Sequence, residues 1–319
     1  MARLILITEH VDADAIALLR RRPGFDVVAG EGMPASALAR CEAIGIRVCR
    51  LDAATLALAP HLRVVAKHGV GTDNIDVDHC TARGIPVLNT PDANKAAVAE
   101  HAFALMLALA KRLLELDAAV RRGDWAIRDR LRFNELASMT LAIIGFGRSG
   151  QELARRARAF DMRVVAFGRS LDRQALTALG VEPADSLAAA LGEGDVVSLH
   201  VPRPSSGVPL IGRAELRAMK RGALLVNCAR GGVVDERALA DVLDEGHPGG
   251  AGIDVLGEEP PPTTLPLLNR ANVILTPHIA GSTREASRRM GMEMAENILQ
   301  ALDGRLPSAS LVNPVVLTR

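Results

Sequence analysis

Short apolar runs, each closed by Gly, Pro, Asn or Asp, alternate along the chain with longer stretches of helical periodicity. The first series covers residues 4–7, 25–28, 43–48, 63–66 and 86–89. Continuous apolar strands separated by helices predict a parallel sheet covered on both faces, since neither side of such a strand tolerates water. The first part of the chain therefore reads as a small α/β unit of about five strands. A second series follows at 141–145, 164–167, 196–200, 224–228, 250–255 and 273–277, six strands that suit a complete doubly wound sheet. Between the two series lies one long Ala- and Leu-rich helical stretch, 94–122, the expected connector. Another helical stretch, 283–302, leads to Leu311-Val312-Asn313-Pro314, and this tail is expected to return to the first unit. The predicted division is a discontinuous domain, 1–96 with 288–319, interrupted by a second domain, 97–287. No repeat of solenoid period appears, and the prolines at 260–262 and 266 mark a rigid surface loop.

Composition narrows the class. Of 319 residues, 49% are hydrophobic and 24% charged, the balance of a globular protein with a sizeable core. The longest nearly apolar run, 102–110, is far shorter than the ~20 residues that a bilayer requires, so no membrane association is expected. No basic-then-apolar leader precedes the first strand, and a cytoplasmic location is the expectation. The net charge of +1 and the 2% aromatic content give neither an electrostatic nor a stacking reason to expect nucleic acid. Cys41, Cys49, Cys80 and Cys228 have no metal-ligand spacing, so no metal site and no disulfide framework is indicated.

The apolar run 141–144 feeds directly into Gly145-Phe146-Gly147-Arg148-Ser149-Gly150 and then an amphipathic helix. In that context Gly-x-Gly-x-x-Gly is a dinucleotide site. The first glycine permits the turn, the second lets backbone approach a pyrophosphate, and the third lets helix pack on strand, with phosphates at the helix N-terminus. The NAD-binding version of this pattern ends its second strand in an acid that bonds the ribose 2′-hydroxyl. Here the place reads Phe167-Gly168-Arg169-Ser170. Arg169 and Ser170 instead suit a 2′-phosphate, which predicts NADP(H) in preference to NAD(H); Arg169 stacked on adenine with either cofactor is the alternative.

Ligands in open α/β sheets bind beyond the carboxyl ends of the strands. His200 and Pro202 end one strand and are read as cofactor wall, with no chemistry assigned to His200. Cys228 and Ala229 stand at a further strand end and are read with the cofactor set, and Asp254 stands at the next strand end. Three strand-end segments carry isolated ionisable groups: 227–236 with Arg230, 254–260 with Glu259 and 276–281 with His278. Hydride transfer to a ketone needs an acid for the developing alkoxide and a cation for an adjacent carboxylate. His278 and Arg230 supply those roles, and the carboxylate of Glu259 would orient the imidazole and favour its charged form.

These segments, together with Lys67-His68-Gly69-Val70-Gly71-Thr72-Asp73-Asn74-Ile75-Asp76 and Val98-Ala99-Glu100-His101, resemble the D-isomer-specific 2-hydroxyacid dehydrogenase family over essentially the whole chain. The resemblance implies two Rossmann-like domains, a doubly wound parallel-sheet cofactor domain inserted in a smaller flavodoxin-like substrate domain. It implies Arg230 as substrate-binding arginine, Glu259 as the histidine's carboxylate, His278 as acid/base, and Val70 and Gly71 as amides for the substrate carboxylate. It further implies Asp254 as the holder of the nicotinamide carboxamide, Arg148 and Ser149 at the phosphates, and a homodimer formed through the helix of Val98–His101.

The expected activity is reduction of a small 2-oxo acid such as glyoxylate or hydroxypyruvate. Arg47, Arg50 and Lys67 raise the alternative of a phosphorylated or dianionic acid, as in phosphoglycerate dehydrogenases. The chain shows no C-terminal regulatory segment after the returning tail, which counts against that alternative. A dinucleotide-sensing co-repressor is a further reading, for which retention of Arg230, Glu259 and His278 removes the simplest motive. A formate- or phosphite-oxidising activity also stays open. Arg203-Pro204-Ser205-Ser206-Gly207 departs from the more common Leu-Thr pattern after His200-Val201-Pro202, so contacts from that loop are left open, as are those of Trp125.

Overall fold

The computed structural model describes residues 3–318. It is α/β, with two compact units: the chain up to Asn94 together with Gly281 onward, and Lys95–Ala280. No helix among the described residues is long and apolar enough to cross a membrane.

In the first unit β1 (Arg3–Ile7), β2 (Phe25–Ala29), β3 (Cys41–Ile46), β4 (Val64–Lys67) and β5 (Val87–Leu88) form one parallel sheet in the order β2-β1-β3-β4-β5. Each face has its own apolar layer. Leu6, Ile44, Ile46 and Val65 fill one, and Ile5, Ile7, Val64 and Leu88 fill the other beneath the helix Arg284–Leu302, whose Met294 and Ile298 are fully buried. The chain tail pairs antiparallel with β5 at Leu88 and Leu311. Asn313 secures it, accepting from the Val87 amide at 2.8 Å and donating to the Ile85 carbonyl at 3.0 Å. A buried amide side chain that satisfies backbone in this way fixes where the tail runs.

The second unit contains β6 (Thr140–Ile144), β7 (Arg163–Phe167), β8 (Glu182–Pro183), β9 (Val196–Leu199), β10 (Leu224–Asn227), β11 (Gly250–Ile253) and β12 (Val273–Leu275). All pair in parallel, in the order β12-β11-β10-β9-β6-β7-β8. The order reverses between β6 and β9, which is where such a sheet opens a crevice at its carboxyl edge. Six strands were expected here and seven are present. The extra one, β8, is a two-residue edge strand exposed at both positions and containing Pro183, so it leaves no apolar signature and is tolerated only because an edge needs one donor fewer.

The expected single helix 94–122 is instead two, Lys95–Ala110 and Leu113–Arg121. Arg112 between them takes φ +50°, a left-handed conformation that ends one helix and redirects the chain. The first helix lies on β10 and β11, burying Ala102, Leu105 and Met106. Gly252 in β11 makes the close approach possible, since a Cβ there would lie 3.0 Å from Leu105 Cβ. The helix–sheet distance is thus set by the absence of a side chain.

Candidate active site

β6 runs into the glycine loop and the helix Arg148–Ala159, with Gly147 as its N-cap. The three glycines are required for different reasons. Gly145 has φ +96°, and a Cβ on it would lie 2.4 Å from the His200 carbonyl oxygen. At Gly150 a Cβ would lie 2.5 Å from the Gly145 carbonyl oxygen, so this glycine sets how closely helix meets strand. Gly147 has an ordinary extended backbone, φ −82°, and a Cβ there would meet nothing within 4 Å. Neither backbone nor packing calls for glycine at 147. The open space above it, at the N-terminus of a 12-residue helix, fits the pyrophosphate of a dinucleotide.

Ser149 and Phe146 belong to the same turn. Phe146 is buried beneath it, while Ser149 Oγ lies 3.0 Å from His200 Nδ1. His200 Nε2 is in turn 3.0 Å from Ser198 Oγ. The imidazole is held between two hydroxyls with no carboxylate, and burial pushes its pKa from 6.5 down to about 4. The histidine so held braces the glycine loop, and Pro202, two residues on, is exposed. At the end of β7, Gly168 leaves the usual acid missing, and Arg169 and Ser170 are both exposed. Arg148 is exposed at the start of the helix.

β10 ends in the turn that bears Arg230. Asn227 staples this turn, accepting from the Ala229 amide at 3.1 Å and donating to the Arg230 carbonyl at 3.1 Å. Arg230 Nη1 donates to the Ala229 carbonyl at 2.7 Å. Cys228 and Ala229 are buried, and burial with nearby Asp254 pushes the Cys228 thiol far up, so it stays protonated. Gly231 allows the turn to press on the next loop: a Cβ there would lie 1.8 Å from the Leu256 carbonyl oxygen. Across Gly232, the guanidinium of Arg203 lies within 3.1–3.3 Å of where a Cβ would be. Trp125 is an exposed surface residue.

β11 ends at Asp254, 1% exposed. Its carboxylate accepts from the amides of Ile279 and Ala280, each at 2.9 Å, and from Thr276 Oγ1 at 2.6 Å. His101 Nε2 stands 3.0 Å from Thr276 Oγ1 and 3.5 Å from Asp254 Oδ1. The His278 amide donates to the Asp254 carbonyl at 2.8 Å. This network folds residues 276–280 around one buried carboxylate and holds His278 at φ +53°, a left-handed backbone uncommon outside glycine. Both oxygens of Asp254 are therefore engaged by the loop they shape.

The imidazole so presented meets Glu259, with Nδ1 2.8 Å from Oε2. Glu259 Oε1 accepts from the Leu256 amide at 2.9 Å, so the carboxylate is held at both oxygens. Arg230, Glu259 and His278 all belong to the second unit and come from three successive strand ends. Val70 and Gly71 belong to the first unit, on the loop after β4, where Asn89 Nδ2 donates to the Val70 carbonyl at 2.9 Å. His101, Thr276, Ser198 and Glu236 are parts of the site that motif reasoning passed over. Ser198, a polar residue in the otherwise apolar β9, carried a legible signal; the others looked like ordinary helix or loop polar residues.

The sequence profile described as "D-isomer specific 2-hydroxyacid dehydrogenase, NAD binding domain" matches residues 103–280, more than half of the chain. The chain is 39% identical over 314 residues to a D-3-phosphoglycerate dehydrogenase of Archaeoglobus fulgidus, covering 97% of this chain and 59% of that protein. It thus spans under two thirds of that relative's length. It is 43% identical over 272 residues to a glyoxylate reductase of Korarchaeum cryptofilum, covering 84% of this chain and 81% of that one. A solved structure of D-lactate dehydrogenase from Aquifex aeolicus, complexed with NAD and lactic acid, superposes with a TM-score of 0.87 at 29% identity, covering 98% of this chain and 99% of that one.

Two measurements check this site. Gly147→Ala should leave urea-unfolding stability within about 1 kcal/mol while weakening dinucleotide binding tenfold or more, whereas Gly150→Ala should cost roughly 1–3 kcal/mol of stability. Equal stability losses in the two variants would contradict the distinct roles. The second concerns pH. His200 is neutral when folded and titrates near 6.5 when unfolded, so the unfolded chain binds the extra proton as pH falls from about 6.5 to 4. Stability should fall across that window, by up to roughly 3 kcal/mol from this group. His68, buried with its pKa also lowered, adds in the same direction. Thermal melts of His200→Gln should show a shallower decline than wild type; parallel curves would refute the assignment.

Proposed function

Because the chain belongs to the D-isomer specific 2-hydroxyacid dehydrogenase family, we propose that it interconverts a small 2-oxo acid and its D-2-hydroxy acid, with glyoxylate or hydroxypyruvate as the acid reduced. The observation that carries this reading is the 2.8 Å bond between His278 Nδ1 and Glu259, on a turn locked by a buried carboxylate. With Nδ1 engaged by Glu259, the imidazole keeps Nε2 for proton transfer to the oxygen at C2. Arg230 pairs with the acid's carboxylate and polarises its carbonyl. A nicotinamide dinucleotide, when bound, supplies or accepts the hydride at C2. The residues that would hold it are the amides of Gly147 to Ser149 at the helix N-terminus, with His200, Pro202, Cys228 and Ala229 as walls.

The preference within the cofactor class follows from the end of β7. Gly168 removes the carboxylate that would repel a 2′-phosphate, and among the described residues Arg169 makes no ion pair, which leaves its guanidinium available for one. We assign NADP(H) as the preferred dinucleotide.

Two of the three cations that raised a dianionic acid have partners within the first unit. Lys67, one of three cations that suggested a dianionic substrate, donates to the Arg47 carbonyl and to Asn74 Oδ1, and so serves to hold its own loop. Arg50 lies 3.9 Å from Asp52. A phosphoglycerate-type substrate is the second reading, favoured by the Archaeoglobus relative. A homodimer completes the assignment. In the stretch that follows the helix of Val98–His101, Leu113, Leu114, Val120, Trp125 and Phe133 are each exposed, and exposed apolar side chains there suit cover by a second copy. Sedimentation at the monomer mass would remove that element.

Initial rates with glyoxylate, hydroxypyruvate, pyruvate and 3-phosphohydroxypyruvate check the reading. We expect the first two to be reduced best, with NADPH over NADH. His278→Ala should lower kcat by about 10²-fold or more, the scale of a lost general acid. Arg169→Ala should shrink the NADPH advantage by about tenfold, the scale of one charged hydrogen-bonded contact. Superior turnover of 3-phosphohydroxypyruvate would install the second reading, and an undiminished His278→Ala would remove the mechanism.

A further inference from the structure

We infer that Glu236 is a positioning residue for the proton-transfer pair: its carboxylate clasps the loop that holds Glu259 against His278. The inference rests on the reading of His278 and Glu259 as that pair. Glu236 is the first residue of the helix Glu236–Leu243, which starts just after the Arg230 turn. The preceding Asp235 already caps that helix, accepting from the amides of Arg237 and Ala238. Glu236 is free of that task and turns to the neighbouring loop, where Oε1 accepts from the Gly257 amide at 2.6 Å.

The next amide back, that of Leu256, donates to Glu259 at 2.9 Å. Two consecutive N–H groups are therefore taken by two carboxylates, Glu259 from within the loop and Glu236 from the helix that follows the Arg230 turn. The Leu256 carbonyl is fixed as well, pressed on Gly231 at a separation that excludes any side chain. Peptide 256–257 is thus pinned from both sides, and any shift in it moves the acceptor arm of Glu259 and with it the imidazole's partner. The acids facing Glu236 are Asp235 on its own turn and Glu259 across the loop. Burial, followed by these two like charges, pushes its carboxyl above the usual range. A half-buried acid set beside two others is unfavourable on electrostatic grounds, and the Gly257 amide is the compensating contact.

The test compares Glu236→Ala and Glu236→Gln with Glu259→Gln and wild type. Alanine removes both acceptor and charge; glutamine keeps an acceptor for Gly257 and removes the charge alone. We expect Glu236→Ala to lower kcat for glyoxylate about tenfold with the dinucleotide Kd unchanged within about twofold. It should also move the alkaline limb of the kcat profile to lower pH by about half a unit or more, in the same direction as Glu259→Gln, because a negative charge near the acid has gone. Glu236→Gln should show the shift with a smaller loss of kcat. A residue that merely supported the fold would not move the profile. Wild-type kcat and profile in both variants would overturn the inference, and if the alanine variant does not fold, the glutamine profile decides. Hydrogen exchange separates the two levels of the argument: without cofactor, the Gly257 amide should exchange about tenfold or more faster in Glu236→Ala. Unchanged exchange overturns the clasp whatever the activity. An undiminished Glu259→Gln with accelerated exchange in Glu236→Ala would instead place the fault in the reading of the pair.

Discussion

One buried carboxylate organises the second unit's carboxyl edge. Asp254, at the end of β11, receives two backbone amides and a hydroxyl from the segment after β12, with His101 close behind. A carboxylate removed from water is costly unless its lone pairs are met, and here they are met almost entirely by one loop. The compensation works in both directions: the loop supplies donors to the charge, and the charge dictates the loop's course. His278 takes its left-handed backbone as a consequence, and that backbone directs the ring to Glu259. Removing the carboxylate would orphan two amides at about 1–3 kcal/mol each and release the turn.

The rest of the edge is built by close approach. Glycines at 145, 150 and 231 sit where a Cβ would overlap a carbonyl, so loops from β6, β9, β10 and β11 contact one another through backbone. Backbone contact is stiff compared with side-chain packing. It holds the Arg230 turn to Leu256, and Leu256 to Glu259, so Arg230, Glu259 and His278 share one frame. Gly147 breaks the pattern, since a Cβ there would meet no protein atom within 4 Å.

The alternation of apolar runs made both sheets legible, because a strand buried on both faces must be apolar throughout. β8 escaped for the converse reason: at an exposed edge, Glu182 and Pro183 meet no such demand. The break at Arg112 was equally silent, because helical periodicity does not register a single left-handed residue between two helices. At the site, Arg230, Glu259 and His278 could be picked out because they lie in three strand-end segments that carry the family resemblance, and the folded chain joins Glu259 to His278 directly. His101 and Glu236 could not. Their side chains act on segments 175 and 21 residues away, and nothing local in their sequence says so. Asp254 was legible as a strand-end acid, whereas its role as the anchor of another strand's loop is a property of three dimensions.

The central claim is that Asp254 imposes the conformation of the His278 turn. Its most direct test is hydrogen exchange at the amides of Ile279 and Ala280 in Asp254→Asn, a change that keeps the shape and replaces one acceptor by a donor. The account predicts exchange at these two amides faster by about tenfold or more, with protection in β6 and β9 unchanged. Wild-type protection at both amides would show that the turn holds itself, and would contradict the claim.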